Sequence, residues 1–457
     1  MTTIDDRFKE QLQLLLIAPE ARQLIEALDT PPVTGVRLNP HKPAVLFPDA
    51  RSVAWCADGY TLPARPRFAA MPQWHAGAFY VQEPASMITQ SVVAELLPRL
   101  GDGPVRYLDS CAAPGGKTTA AISALRSGDF AVANEFVASR ANILMENLLK
   151  WGFPGVAVTQ GDTAAYSRLR DCFDIVAVDA PCSGEGMMRK DEEARRQWSP
   201  GLVSQCAALQ REILENVWPA LRPGGYLIYS TCTFNRTENE DMLAFIRDSL
   251  GGEPVDLGFN DRFDIPASLD PALPAMRFMP HRTEGEGLFM GVMRKPGEAT
   301  RHLSGKKADK KRKGGKRDED ISAEAKRWLS APDDYRFMPD GDRWLAVPVT
   351  HADLAESLRK VTRVLTAGVP VGVQKGKSIA PEPALALSTG LAEDAFPCIE
   401  LTADEALSYL RREALTLSGS APRGYVIVRH GGLPLGFVKN LGNRANNLYP
   451  QHWKLRT

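Results

Sequence analysis

Three observations predict an α/β fold built on a parallel, Rossmann-like sheet covered on both sides. Between residues 96 and 295, short apolar runs alternate with segments of helical period. Several of those runs are apolar on both faces, as strands buried under helices must be. Most of the runs also end in glycine, acid or cysteine, at the strand tips where such sheets gather their ligands.

The elements follow in chain order. Residues 7–29 show helical periodicity, with Pro19 at the start of a second helix, and TGVRLNPHK after them is a short extended piece. VRYLDSC (105–111) is a buried strand leading into a Pro-Gly-Gly turn, and TTAAISALR (118–126) is a helix. FAVANE (130–135) is the second strand, 139–152 a helix, 155–162 a strand and FDIVAVDAP the next strand. A long helix at 202–221 precedes a strand at 224–234, and EGLFMGVMRK (286–295) is expected to close the sheet as an edge strand. Residues 323–457 return to a mixed α/β pattern with their own glycine-rich turns, so a further domain is expected there. The expected division is 1–95, 96–295, a linker at 296–322, and 323–457.

Composition narrows the class. With 457 residues, 44% hydrophobic and 24% charged, the chain is an ordinary globular one of two to four domains. No uncharged apolar run approaches the ~18 residues of a membrane helix, and the acidic, polar start MTTIDDRFKEQ is no signal peptide. Seven cysteines without a C-x-x-C suggest neither a disulfide framework nor a metal site. A reduced, cytoplasmic protein is expected, monomeric because no coiled-coil seam is present. Net charge is zero, yet KKADKKRKGGKR (306–317) carries eight Lys/Arg against one Asp, a local footprint able to attract phosphates.

LDSCAAPGGKTTA places Gly115 and Gly116 at a strand-to-helix turn, where backbone N–H groups can approach a ligand closely. A phosphate-binding P-loop would need a glycine at position 111, which is Cys111, so nucleotide hydrolysis is set aside. A class I methyltransferase pocket for S-adenosylmethionine fits better. It wants such a turn for the methionyl end, an acid after the second strand for the ribose and an acid near the third for adenine. Glu135 and Asp162 stand at those places.

Two cysteines follow proline or threonine at the ends of neighbouring strands, Cys182 in DAPCSGEG and Cys232 in YSTCTF. A thiolate adding to C6 of cytosine makes C5 nucleophilic enough to take a methyl group. That needs a lowered thiol pKa and a carboxyl group on the base edge near N3 and N4, where Asp179 could serve. On chemistry alone either cysteine could attack. Cys56, Cys111, Cys172, Cys206 and Cys398 read as small buried hydrophobes.

DSCAAPGGKT, DAPCSGEG and YSTCTFNRTENE, in this order, strongly resemble the Nop/Sun family of RNA cytosine-C5 methyltransferases. The resemblance implies that Cys232 is the attacking thiol and that Cys182 helps the product leave. It also places the cofactor on Cys111, Ala112, Ala113, Pro114, Gly115, Gly116 and Lys117, with Glu135, Asp162 and Asp179. RLNP (37–40) and FYVQEPASM (79–87) resemble the family's N-terminal RNA-contacting portion, and RTEGEGLFMGVMRK its closing hairpin. PLGFVKNLGNRANNLYPQHWKLR (434–456) resembles the PUA-like module of the bacterial RsmF type, which modifies 16S ribosomal RNA. There Lys439, Arg444, Lys454 and Arg456 could meet phosphates, while Phe437, Tyr449 and Trp453 offer either stacking surfaces for bases or core packing. The expectation is a 5-methylcytosine-forming enzyme acting on 16S ribosomal RNA. A transfer-RNA substrate and a non-catalytic assembly factor are the alternatives, and undamaged motifs weigh against the latter.

Overall fold

The computed structural model describes residues 3–298, 321–376, 378–417 and 421–456; the basic segment 306–317 lies outside them. Nine strands make the central sheet: β1 (Arg106–Asp109), β2 (Phe130–Glu135), β3 (Val156–Gln160), β4 (Phe173–Asp179), β5 (Leu221–Thr231), β6 (Glu253–Val255), β7 (Ala275–Phe278), β8 (Leu288–Arg294) and β9 (Arg363–Ala367). Their order is β6-β8-β5-β4-β1-β2-β3-β9, with β7 paired to β8 off this path. β1 to β5 are parallel. β8 runs antiparallel to β5 and β9 antiparallel to β3. The winding direction reverses between β1 and β4, so a crevice opens at their carboxyl ends.

Period-two alternation feeds two cores. Tyr107, Ala131, Val158 and Ile175 face a core shared with α1 (Gly116–Ala124) and α2 (Ala138–Trp151). Leu108, Val132, Ala157 and Val176 face the other core, beneath α3 (Pro200–Val217), α4 (Glu240–Leu250) and α5 (Ala352–Val361). Each of the buried Val, Leu and Ile side chains among them contributes about 1.5–3 kcal/mol. No helix among the described residues is long and apolar enough to cross a membrane.

The N-terminal helices Asp6–Leu15 and Ala18–Leu28 pack Phe8, Leu12 and Leu24 on Met188, Trp198 and Phe234, next to the cysteine-bearing loops. Pro19 sits in the first turn of the second helix, where its missing N–H costs nothing. A four-stranded antiparallel sheet centred on Thr34–Leu38 follows. Arg37 and Asn39 of RLNP are buried rather than displayed to a partner. Arg37 ties this sheet to α1 through Thr119 (2.6 Å) and Ser123 (2.7 Å).

Two strands depart from the sequence expectation. The 286–295 segment is no edge, because β8 has β5 on one side and β6 with β7 on the other. β6 is three residues long and contains Pro254, too short for any periodicity to announce it. At the far edge β9, from the region read as a further domain, covers β3. Pairing between segments so distant in sequence leaves no local signal, although an exposed edge would have been a liability.

Among the described residues two four-stranded sheets complete the C-terminal region. In the last one Phe437, Tyr449 and Trp453 are core residues, 0%, 0% and 5% exposed, so they are not stacking surfaces. Tyr449 also bonds His75 (3.3 Å), docking this region on the N-terminal domain. Lys439, Arg444, Lys454 and Arg456 are exposed, as expected. Trp453→Ala should therefore lower stability by about 3–5 kcal/mol in urea denaturation. Lys439→Ala should change it by no more than about 0.5 kcal/mol.

Candidate active site

The site is assembled where β1, β2, β4 and β5 end. After Asp109 the chain turns through Ser110–Gly115 and enters α1. Gly115 has φ +109°, and a Cβ there would come within 3.2 Å of Leu144 Cδ1, so the turn requires glycine. The turn's outward carbonyls are clamped from α2: Arg140 donates to Ala113 O (2.9 Å) and Asn147 to Pro114 O (2.8 Å). Tyr80 OH adds a third contact, to Pro114 O (3.2 Å).

Two cavities adjoin this turn. The first, about 460 Å³, is lined by Cys111, Ala113, Glu135, Asp162, Asp179, Cys182 and Cys232. Of the residues expected to hold the cofactor, Ala112, Pro114, Gly116 and Lys117 line instead the second cavity, about 330 Å³. Gly115 lines neither and acts through the backbone shape it permits. Asp179 and Cys232 belong to both cavities, so the two meet there.

At that junction Lys117 Nζ donates to Asp179 Oδ2 (2.9 Å), and Ser230 Oγ to Asp179 Oδ1 (3.0 Å). Burial disfavours the Lys117 charge, but the charge and hydrogen bond of Asp179 outweigh it and raise the ammonium pKa. Asp109, buried beneath the turn, is pushed up to about 7 by desolvation, a hydrogen bond from Thr118 (2.7 Å) working against the shift.

The thiols of Cys182 and Cys232 lie 3.2 Å apart, and both cysteines are free. Their environments pull them in opposite directions. The hydrogen bond to Cys232, then burial, raises the Cys182 pKa and keeps that thiol protonated. The same hydrogen bond lowers the Cys232 pKa despite burial and Asp179, with Lys117 and Lys190 adding to the effect. A thiolate exists above its pKa, so Cys232 reaches the reactive form at lower pH than an ordinary thiol. Cys182→Ala removes this hydrogen-bond partner and should move the midpoint of Cys232 alkylation to higher pH, read by mass spectrometry across a pH series. An unmoved midpoint would break the assigned polarity of the pair.

Two buried carboxylates that sequence reasoning missed bolt the cysteine loops together. Glu185 accepts from the backbone N–H of Phe234 (2.6 Å) and Asn235 (2.9 Å), from Trp198 Nε1 (3.0 Å) and from Gln11 Nε2 (2.8 Å). Glu238 accepts from Ser183 N (3.0 Å), Gln210 Nε2 (2.8 Å) and Asn235 Nδ2 (2.8 Å). Gly186 approaches Gly287 so closely that a Cβ would fall 2.7 Å from its Cα. Also missed were Phe136 and Leu209 on the first cavity and Tyr80, Glu83, Lys190 and Glu286 on the second. Phe136 had a local signal as the residue next to the acid at a strand tip, and Tyr80, Glu83 and Glu286 lie in the FYVQEPASM and RTEGEGLFMGVMRK segments that carry the family resemblance. Among the described residues no group of three or more His, Cys, Asp or Glu could hold a metal ion.

A sheet wound in this order, with its cavity beyond the tips of β1 to β4, defines a Rossmann-like methyltransferase. Residues 96–294 match the family described as 16S rRNA methyltransferase RsmB/F, residues 4–84 the N-terminal domain of 16S rRNA methyltransferase RsmF, and residues 396–455 the methyltransferase RsmF PUA domain. The ribosomal RNA small subunit methyltransferase F of Shewanella amazonensis is 33% identical over 87% of this chain and 85% of its own. That of Erwinia tasmaniensis is 30% identical over 97% and 95%. The chain belongs to the ribosomal RNA small subunit methyltransferase F family. Among solved structures, a methyltransferase homologue from Pyrococcus horikoshii is 25% identical with a TM-score of 0.54, covering 64% of this chain and 95% of its own. NSun6 from the same organism, solved with SFG, shares the fold at 19% identity and a TM-score of 0.53, over 64% of this chain and 98% of its own.

Proposed function

We propose that the protein methylates C5 of a cytosine in 16S ribosomal RNA, using S-adenosylmethionine and a covalent adduct between Cys232 and C6. The observation that carries the reading is the junction itself: two thiols 3.2 Å apart beside a Lys117–Asp179 ion pair, where two cavities meet. The first cavity suits the cofactor. Its backbone turn would take the methionyl end, the buried Glu135 the ribose hydroxyls and Asp162 the adenine edge. When bound, S-adenosylmethionine supplies an electrophilic methyl group.

The second cavity would receive the target base, flipped from its stack at a cost of a few kcal/mol. Asp179, fixed by Lys117 and Ser230, accepts a hydrogen bond from the N4 amine of the base. Cys232 Sγ adds to C6, and the electron pair of the C5–C6 bond moves to C5, which becomes the methyl acceptor. After methyl transfer the C5 proton passes to solvent, its C–H electron pair re-forms the C5–C6 double bond as the C6–S bond breaks, and the departing Cys232 thiolate is stabilised by a hydrogen bond from the adjacent, protonated Cys182 thiol. Exposed Lys439, Arg444, Lys454 and Arg456 would hold the RNA by its phosphates.

The test is nucleoside analysis of small-subunit RNA after incubation with the pure protein and S-adenosylmethionine. The expected product is 5-methylcytidine. A methyl group on another base or another atom, or none in any small-subunit RNA or particle, would overturn the reading.

A further inference from the structure

We propose that Glu286 accepts a hydrogen bond from the ribose 2′-hydroxyl of the target nucleotide and thereby selects RNA over DNA; this rests on the reading that the second cavity receives the target base. Glu286 is 3% exposed and lines that cavity together with Lys117, Asp179 and Cys232. Its Oε2 is buried with no hydrogen-bond partner among the described residues. Buried acceptors in folded proteins almost always have a partner, so a donor is missing here. The residue is firmly placed. Its own N–H donates to Glu83 Oε2 (3.2 Å), and Arg189 Nη1 donates to the neighbouring carbonyl of Gly285 (3.0 Å).

Position within the cavity identifies the donor. Asp179 is the last residue of β4 and Lys117 lies in the first turn of α1, so their pair occupies the end at the sheet tips. Phe289 of β8 pairs with Thr231, the last residue of β5, which carries residues 286–288 past the strand tip and alongside Cys232. Lys190, an exposed residue, lines the same cavity, so this is the end open to solvent. A base entering from there reaches Asp179 and leaves its ribose beside Glu286. Within an RNA chain the 3′ and 5′ oxygens are esterified, and phosphates repel a carboxylate. The 2′-hydroxyl is the one ribose donor left, and it is the group that DNA lacks.

The methylated nucleotide would first be mapped on small-subunit RNA. The same RNA would then be assembled by splinted ligation with either ribose or a single 2′-deoxyribose at that nucleotide. For the wild-type protein, the deoxy substitution should lower kcat/KM about ten- to a hundredfold. Glu286→Ala should methylate the two substrates within about twofold of each other, while Glu286→Gln, which keeps an acceptor oxygen, should retain most of the preference. Equal wild-type rates on both RNAs, or undiminished discrimination by Glu286→Ala, would overturn the proposal. A product other than 5-methylcytidine would instead overturn the functional reading, and the ratio of the two substrates would still decide the role of Glu286.

Discussion

Cys232→Ala should abolish both methyl transfer and any covalent protein–RNA band on a denaturing gel, a loss of about 10⁴-fold or more. Cys182→Ala should do the opposite to the band: on the proposed mechanism the adduct forms and then persists, because the thiol proposed to assist its departure is gone. The 3.2 Å contact and the opposed pKa shifts give the pair this asymmetry, one thiol lowered and the other held protonated. Labelled small-subunit RNA incubated with cofactor and each variant decides it. A band that survives Cys232→Ala and vanishes with Cys182→Ala would exchange the two roles.

The second large effect is structural. Glu185 is fully buried, and its two oxygens serve five donors from three separate parts of the chain. Glu185→Ala would leave buried backbone N–H groups of Phe234 and Asn235 and the Trp198 indole N–H without acceptors. Each such group costs about 1–3 kcal/mol, and because neighbours relax together the expected total is about 3–5 kcal/mol. Urea denaturation would show a lowered midpoint, and turnover should fall with it because Cys182 and Cys232 ride on the loops that Glu185 joins. A variant within about 0.5 kcal/mol of wild type would mean that the bolt is unnecessary.

How far the sequence could be read depended on whether a feature is local. β2 is apolar on both faces, and its expected limits, 130–135, are those observed, because a strand buried in a parallel sheet leaves an uninterrupted apolar run. The turn from Cys111 to Lys117 was equally plain, since glycine at a strand end has few other uses. Glu185 and Glu238 were not legible: a carboxylate in a loop looks solvated until its donors, dozens of residues away, are placed around it. The second cavity suffered the same way. Its walls come from 80–86, 109–117, 179–190, Cys232 and 286–288, and only the topology brings them together. Tyr449 and Trp453 show the converse difficulty, since aromatics among basic residues have the same composition whether they face RNA or a core.

The placement of β9 has a consequence for how the chain is made. β3 and β9 are neighbours in the sheet but are separated by about 200 residues of synthesis, which at roughly 5–20 residues per second is about 10–40 s on a translating ribosome. Throughout that interval the nascent methyltransferase core carries β3 as an open edge, hydrogen-bonding groups facing outward and ready to pair with another copy. A chain ended after residue 295 would keep that edge for good. The C-terminal region is thus part of what makes the catalytic sheet safe to fold.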